Sequence, residues 1–199
     1  MDNTILNSIT LNPAICNGKH YNKTMRKTII LIFMLSFLGF GKSSAQENKK
    51  SKSEKEESNE ELKGVIGRYY EDDLPVIMKF VNELPESKII SKFPFLTIIS
   101  WKYDGSENNG MPLDDINQRM IILEDAIEKA IKSYKTFTHV YSRTGNNLKE
   151  FAYYSTNQDD FMKMLNKTLE KHSAYPIEIN FYEDKEWSDF KIVLKDFSK

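Results

Sequence analysis

Eleven residues, Phe93 to Tyr103 (FPFLTIISWKY), constrain this chain more than any others. Apolar side chains fall on both parities for much of their length, the pattern of a central strand covered on both faces. A sheet is therefore required, with this strand inside it. From Pro112 the apolar residues fall at Leu113, Ile116, Met120, Leu123, Ile127, Ala130 and Tyr134, and spacings of 3, 4, 3, 4, 3 and 4 predict an amphipathic helix. Pro112 suits its first turn, and Asp114 with Asp115 suit the positive end of its dipole. The stretch between them, Asp104 to Gly110 (DGSENNG), has loop chemistry.

Further along, Phe137 to Ser142 and Leu148 to Ser155 read as a hairpin around Arg143-Thr144-Gly145-Asn146-Asn147. Thr156 or Asn157 caps a second helix with Phe161, Leu165, Leu169 and His172 on one face. Ile177 to Tyr182 alternates as the next strand, and Trp187, Phe190, Leu194 and Phe197 give a short last helix. From Phe93 onward the order is β-α-β-β-α-β, which predicts an α+β, ferredoxin-like antiparallel sheet with both long helices on one face. Ahead of it, Val65 to Tyr70 and Leu74 to Asn82 flank Glu71-Asp72-Asp73 and predict an N-terminal β-hairpin, with Pro75 implying an edge position and Gly64 and Gly67 marking a bulge. That hairpin either extends the sheet or lies across its other face.

The first 61 residues have a different character. Met25-Arg26-Lys27 is a basic start, Thr28 to Phe40 an uninterrupted apolar run, and Ser43-Ser44-Ala45 a small-residue exit before Gln46. This order predicts a secretory signal peptide cleaved at Ala45/Gln46, the apolar run being too short for the roughly 20 residues of a membrane-spanning helix. The expected product is periplasmic or extracellular. Residues 1–24 show no periodicity and read as a segment upstream of a start at Met25; Cys16, the one cysteine, lies there. Beyond it no disulfide, thiol nucleophile or lipidated cysteine is available. Residues 46–61 (QENKKSKSEKEESNEE) carry no apolar side chain and read as a disordered tether, leaving 62–199 as a single globular domain.

Charge excludes one class of partner. The whole chain has 28 basic and 29 acidic side chains; without residues 1–45, which hold five basic groups and one acid, 23 basic remain against 28 acidic. A net of −5 suits no binder of nucleic-acid phosphates.

Enzyme chemistry finds little purchase. Asp72/Asp73, Asp114/Asp115 and Asp159/Asp160 are carboxylate pairs, yet one belongs to a turn and two to helix starts, where dipole and capping account for them. His139 and His172 have no second ligand at metal-site spacing, so neither a metal nor another cofactor is expected. No nucleophile elbow, phosphate loop or dinucleotide fingerprint occurs. The expectation is a non-catalytic binding or interaction module for a glycan, peptide or protein; the alternatives are a hydrolase of an envelope polymer and, without export, an intracellular regulator.

Strand parity suggests where a ligand would sit. In 177–182 the odd positions are apolar, so they should face the helices together with Phe95, Ile99, Trp101, Phe151 and Tyr153. That leaves Ser100, Lys102, Glu150, Tyr154, Glu178, Asn180 and Tyr182 on the opposite face, and Lys102, Glu150, Tyr154, Glu178, Asn180 and Tyr182 are the candidate binding residues.

Several residues taken together resemble the domain-of-unknown-function 695 family: Gly110-Met111-Pro112, Leu123-Glu124, Gly145 with Glu150 and Tyr154, Tyr175-Pro176-Ile177, and Asp184 with Trp187. The resemblance spans roughly Leu62 to Phe197. It implies a fold unit but no reaction or ligand. Members sometimes carry a domain like the ribonuclease-regulating protein B, for which this chain has no counterpart.

Overall fold

The computed structural model describes residues 64–198; the leader and tether expected in 1–61 lie outside the described residues. Strands are β1 (Gly64–Glu71), β2 (Leu74–Val81), β3 (Phe95–Lys102), β4 (Phe137–Gly145), β5 (Leu148–Ser155) and β6 (Ile177–Glu183). Helices are α1 (Ser87–Ile90), α2 (Asp114–Ile131), α3 (Gln158–Leu169) and α4 (Ser188–Phe197), with a single 3-10 turn at Ser106–Asn108. The class is α+β. All six strands join one antiparallel sheet in the order β1-β2-β4-β5-β3-β6. Among the described residues no helix is long and apolar enough to cross a membrane.

The central strand behaves as its composition requires. β3 pairs with β5 on one side and β6 on the other, and five of its residues, Leu96 to Ser100, are buried with Trp101. Ile99 and Trp101 join Phe151, Tyr153, Ile179 and Phe181 in a core closed by Met120, Leu123 and Ile127 of α2 and Phe161, Met164 and Leu165 of α3. Both long helices thus share one face. On the other face, Leu96 and Ile98 belong to a second core with Val76, Met78 and Phe80 of β2 and Trp187, Phe190 and Val193 around α4. The N-terminal hairpin extends the sheet through β2 and β4 rather than crossing it.

Local chemistry explains the boundaries. Asp72 and Asp73 turn β1 into β2, and Asn146 and Asn147 turn β4 into β5, all four at positive φ as a two-residue hairpin turn demands. Arg143 and Thr144, expected in a loop, therefore lie in β4. Leu113 occupies the cap position of α2 with Pro112 ahead of it, outside the first turn, and Asn157 caps α3 by accepting from the Asp160 N–H at 3.1 Å. The four-residue α1 is too short for periodicity to show.

Two expectations about the hairpin are overturned. Pro75 does not mark an edge strand: β2 lies between β1 and β4, and the β4 ladder starts one residue later, at Val76, so the missing N–H removes no bond there. Gly67 marks no bulge, because β1 and β2 pair without a register shift. Instead the Phe197 ring lies where a Cβ on Gly67 would stand. The bulge is in β4, where His139 pairs with Tyr153 but Tyr141 pairs with Ala152. One inserted residue turns the strand over, so His139 faces the α2 side while Tyr141 and Arg143 face the α4 side.

Gly67→Val should lower the unfolding free energy by about 1–3 kcal/mol, the range of core overpacking. The loss should shrink in a Phe197→Ala background, measured as a double-mutant cycle in urea. Equal losses in both backgrounds would show that the ring is not the obstacle.

Candidate functional site

The chain leaves β6 through a buried carboxylate. Asp184 accepts hydrogen bonds from the Tyr154 hydroxyl at 2.6 Å, the Ser188 N–H at 2.8 Å and the Asp189 N–H at 3.1 Å, so it caps α4 and ties it to β5 at once. Trp187 adopts a left-handed backbone with φ 54°, which lays its indole flat on Tyr154 at 4.0 Å and lets Nε1 donate to the Phe93 carbonyl at 2.9 Å. From there α4 runs over the sheet to β1 and β2, where Phe197 meets Tyr69 and Phe80. Burial and the adjacent Asp184 charge push the Tyr154 hydroxyl far above the ordinary phenol range, so it stays a donor.

Beyond the reach of α4 the same face opens into a concavity of about 320 Å³. Its floor is apolar, formed by Leu96 and Ile98 of β3 and Leu148 of β5. The ladders line up a polar row across four strands, with Arg143 opposite Glu150, Glu150 opposite Ser100, and Ser100 opposite Glu178. Arg143 donates to Glu71 at 2.7 Å and stands 3.8 Å from Glu150, while Ser100 donates to Glu150 at 3.2 Å. At the rim Lys102 meets Glu178 at 3.3 Å; side-chain exposures of 72% and 60% make that pair a weak one. Tyr182 and Asn180 continue the wall, and Tyr141 donates to Asp189 in the first turn of α4 at 2.8 Å.

Five of the six residues singled out from the sequence, Lys102, Glu150, Glu178, Asn180 and Tyr182, line this concavity. Tyr154 does not. It lies on the expected face but beneath Trp187, fully buried, and belongs to the core. Its truncation to alanine falls in the class of aromatic core deletions that cost about 3–5 kcal/mol. Sequence reasoning missed Arg143 and Glu71, which it read as turn residues, and Tyr141 and Asp189. The Asn146-Asn147 pair was the available signal for Arg143, since two residues that tolerate positive φ make the shorter turn and lengthen the strand.

A second polar cluster lies under α2. Lys149 donates to Glu124 at 2.9 Å, Lys79 stands 3.4 Å from Glu124 and 3.5 Å from Glu128, and His139 Nδ1 is 3.6 Å from Glu128. Burial works to raise the Glu124 carboxyl, but Lys149 and Lys79 hold it below the usual range; burial lowers the Lys149 ammonium despite Glu124. The Tyr153 hydroxyl, buried without a hydrogen-bond partner, is pushed up by burial and by the charges of Glu124 and Glu128. His172 Nδ1 lies 2.9 Å from the Tyr175 hydroxyl, away from this cluster.

A family model described as "Family of unknown function (DUF695)" matches residues 69–194. The chain belongs to this family. No curated protein and no solved structure matches it. Of the residues that carried the DUF695 resemblance, Tyr154, Asp184 and Trp187 meet in the lock on α4, and Glu150 lines the concavity. Gly110 at φ 77° and Gly145 at φ 141° hold conformations that glycine adopts without strain. The DUF695 signature is thus partly architecture and partly cleft wall.

His139 makes the pH response of this domain testable. Burial lowers its imidazole below the ordinary value of 6.5, outweighing the raising pull of Glu128 and Glu124, while Lys79 lowers it further. The unfolded chain then takes up the proton first, so this contribution to stability is complete above pH 6.5 and is lost as pH falls toward the folded value. Urea unfolding at stepped pH should show a decline below 6.5 that is flattened in His139→Gln. An unchanged slope in that variant would assign the decline to other groups.

Proposed function

We propose that this DUF695 chain is a non-catalytic binding module, exported after cleavage at Ala45/Gln46, whose ligand occupies the concavity on the open part of the sheet. One observation carries the reading: a polar row held by its own ion pair and hydrogen bonds, with acids in excess, stands beside an apolar floor, on a face that α4 covers only in part. Shape and adjustable polarity favour ligand capture. Neither imidazole nor thiol lines the concavity, and the carboxylate that accepts from Ser100, Glu150, is itself paired with Arg143. We also read the last four strands with α2 and α3 as ferredoxin-like, a reading supported by the order β4-β5-β3-β6 with every neighbour antiparallel.

A hydrolase is the second reading, and one feature favours it. Glu150 and Glu178 flank Ser100 from strands two apart, about 10 Å between backbones at the usual strand spacing. Glycoside hydrolysis uses carboxyl pairs set across a substrate. Against it, Glu150 is bonded to Ser100 and paired with Arg143, and Glu178 is exposed at the rim.

A thermal-shift screen with glycans, peptides and peptidoglycan fragments separates the two. A ligand at about 100 times its Kd adds about 2.7 kcal/mol to stability. That gain should vanish in Glu178→Ala and Asn180→Ala, whose unliganded stability should stay within about 0.5 kcal/mol of wild type. Turnover of a bound glycan that is lost in Glu178→Gln would replace the binding reading with the hydrolase. Export is checked separately: intact mass of the protein from a related bacterial host should begin at Gln46, and a chain retaining residues 25–45 would remove that part.

A further inference from the structure

Resting on the cleft as the binding site, the geometry points to an uncharged saccharide as its ligand, bound with one ring face on the apolar floor and its hydroxyls along the polar row. The register fixes the layout. Arg143, Glu150, Ser100 and Glu178 form one line across β4, β5, β3 and β6; the next line on the same face holds Tyr141, Ala152, Ile98 and Asn180. Neighbouring members of a line are about 4.8 Å apart, and the two lines about 6.7 Å. The polar rail therefore runs beside Ile98, with Leu96 one line further on and Leu148 on the rail's other side, at the scale of a single sugar ring. A pyranose has matching anisotropy, with C–H groups on its faces and hydroxyls around its edge.

The rail alternates in the way vicinal hydroxyls require. Each hydroxyl both donates and accepts, and along the rail a guanidinium donor, a carboxylate acceptor, a hydroxyl and a second carboxylate follow one another. The pairs hold those groups in place before a ligand arrives: Ser100 is fixed to Glu150 at 3.2 Å and Arg143 to Glu71 at 2.7 Å.

Charge argues against anionic ligands, and strand pairing argues against a peptide laid along the rail. Glu71, Glu150, Glu178 and Asp189 outnumber Arg143 and Lys102 on the lining, so an anionic ligand meets a net repulsive field. A peptide added as a strand would take the edge of β6 and reach only the Glu178 end of the rail, whereas Arg143, Glu150 and Ser100 lie on β4, β5 and β3, each paired on both sides.

The test is calorimetric titration of the full chain with four probes: neutral hexose and N-acetylhexosamine oligosaccharides, uronic-acid oligosaccharides, glucosamine oligosaccharides carrying free amines, and short uncharged peptides. Neutral oligosaccharides should bind at least tenfold tighter than the uronic-acid and peptide probes. Asn180→Ala and Glu178→Gln should each weaken them at least tenfold while circular dichroism stays native. Amine-bearing oligomers binding tightest, with neutral ones undetectable, would overturn the uncharged class. Peptide or uronic-acid binding that exceeds neutral saccharides and is lost in Asn180→Ala would overturn the saccharide while leaving the cleft as the site. Binding that ignores both variants, or none by any probe, would overturn the cleft and the saccharide together.

Discussion

The second face of the sheet exists as a structured surface because one carboxylate is buried at its corner. Asp184 is 6% exposed, a position that is costly for an acid unless its oxygens are satisfied. Three donors satisfy them: one from a side chain in β5 and two from the start of α4. Bonds to charged groups contribute about 1.5–3 kcal/mol each, enough to hold Trp187 in a left-handed conformation that costs of order 1–3 kcal/mol. With that corner fixed, the path of α4 follows. So does the division of the face into a covered part and an open one.

Buried charge is used in two ways. On the α4 side Asp184 works with neutral donors and fixes a corner. Under α2 the charges come in opposition, Lys149 with Glu124 and Lys79 with Glu128, and they bridge the helix to two strands, β5 and β2. Removing one member of the Lys149–Glu124 pair leaves its partner buried and uncompensated, which makes either loss costly. The aromatic core beside it, with Phe137, Tyr153 and Phe161 in ring contact, supplies the bulk of the burial.

Legibility followed the range of the forces involved. Parity in 177–182 and the 3-4 spacing of α2 are local, and they placed Ile177, Ile179 and Phe181, and Ile116, Met120, Leu123, Ile127 and Ala130, on the core face; Leu113, at the cap, and Tyr134, past the last turn, are instead exposed. Asp114 and Asp159 were correctly read as helix starts because the dipole acts within one turn. Pro75 was misread because the rule concerns a ladder bond, and which ladder begins at Val76 is set by strand order, not by neighbours in sequence. Tyr154 had the right parity and the wrong environment, since the helix that covers it arrives thirty residues later through Asp184. Arg143 was hidden by the length assigned to one turn. Six members of the cleft lining, Ser100 among them, were legible for the same reason as the core: they are its opposite parity on β3, β5 and β6.

The bulge in β4 separates core filling from wall building. Remove the extra residue, Val140, and the same partners remain, His139 with Tyr153, Tyr141 with Ala152 and Arg143 with Glu150, so the wall keeps its members. What the insertion changes is the core: Val140 and its neighbour Tyr141 both pack on the α4 side, where regular alternation would allow one of them. A strand can thereby thicken the layer beneath a helix without moving the surface beside it.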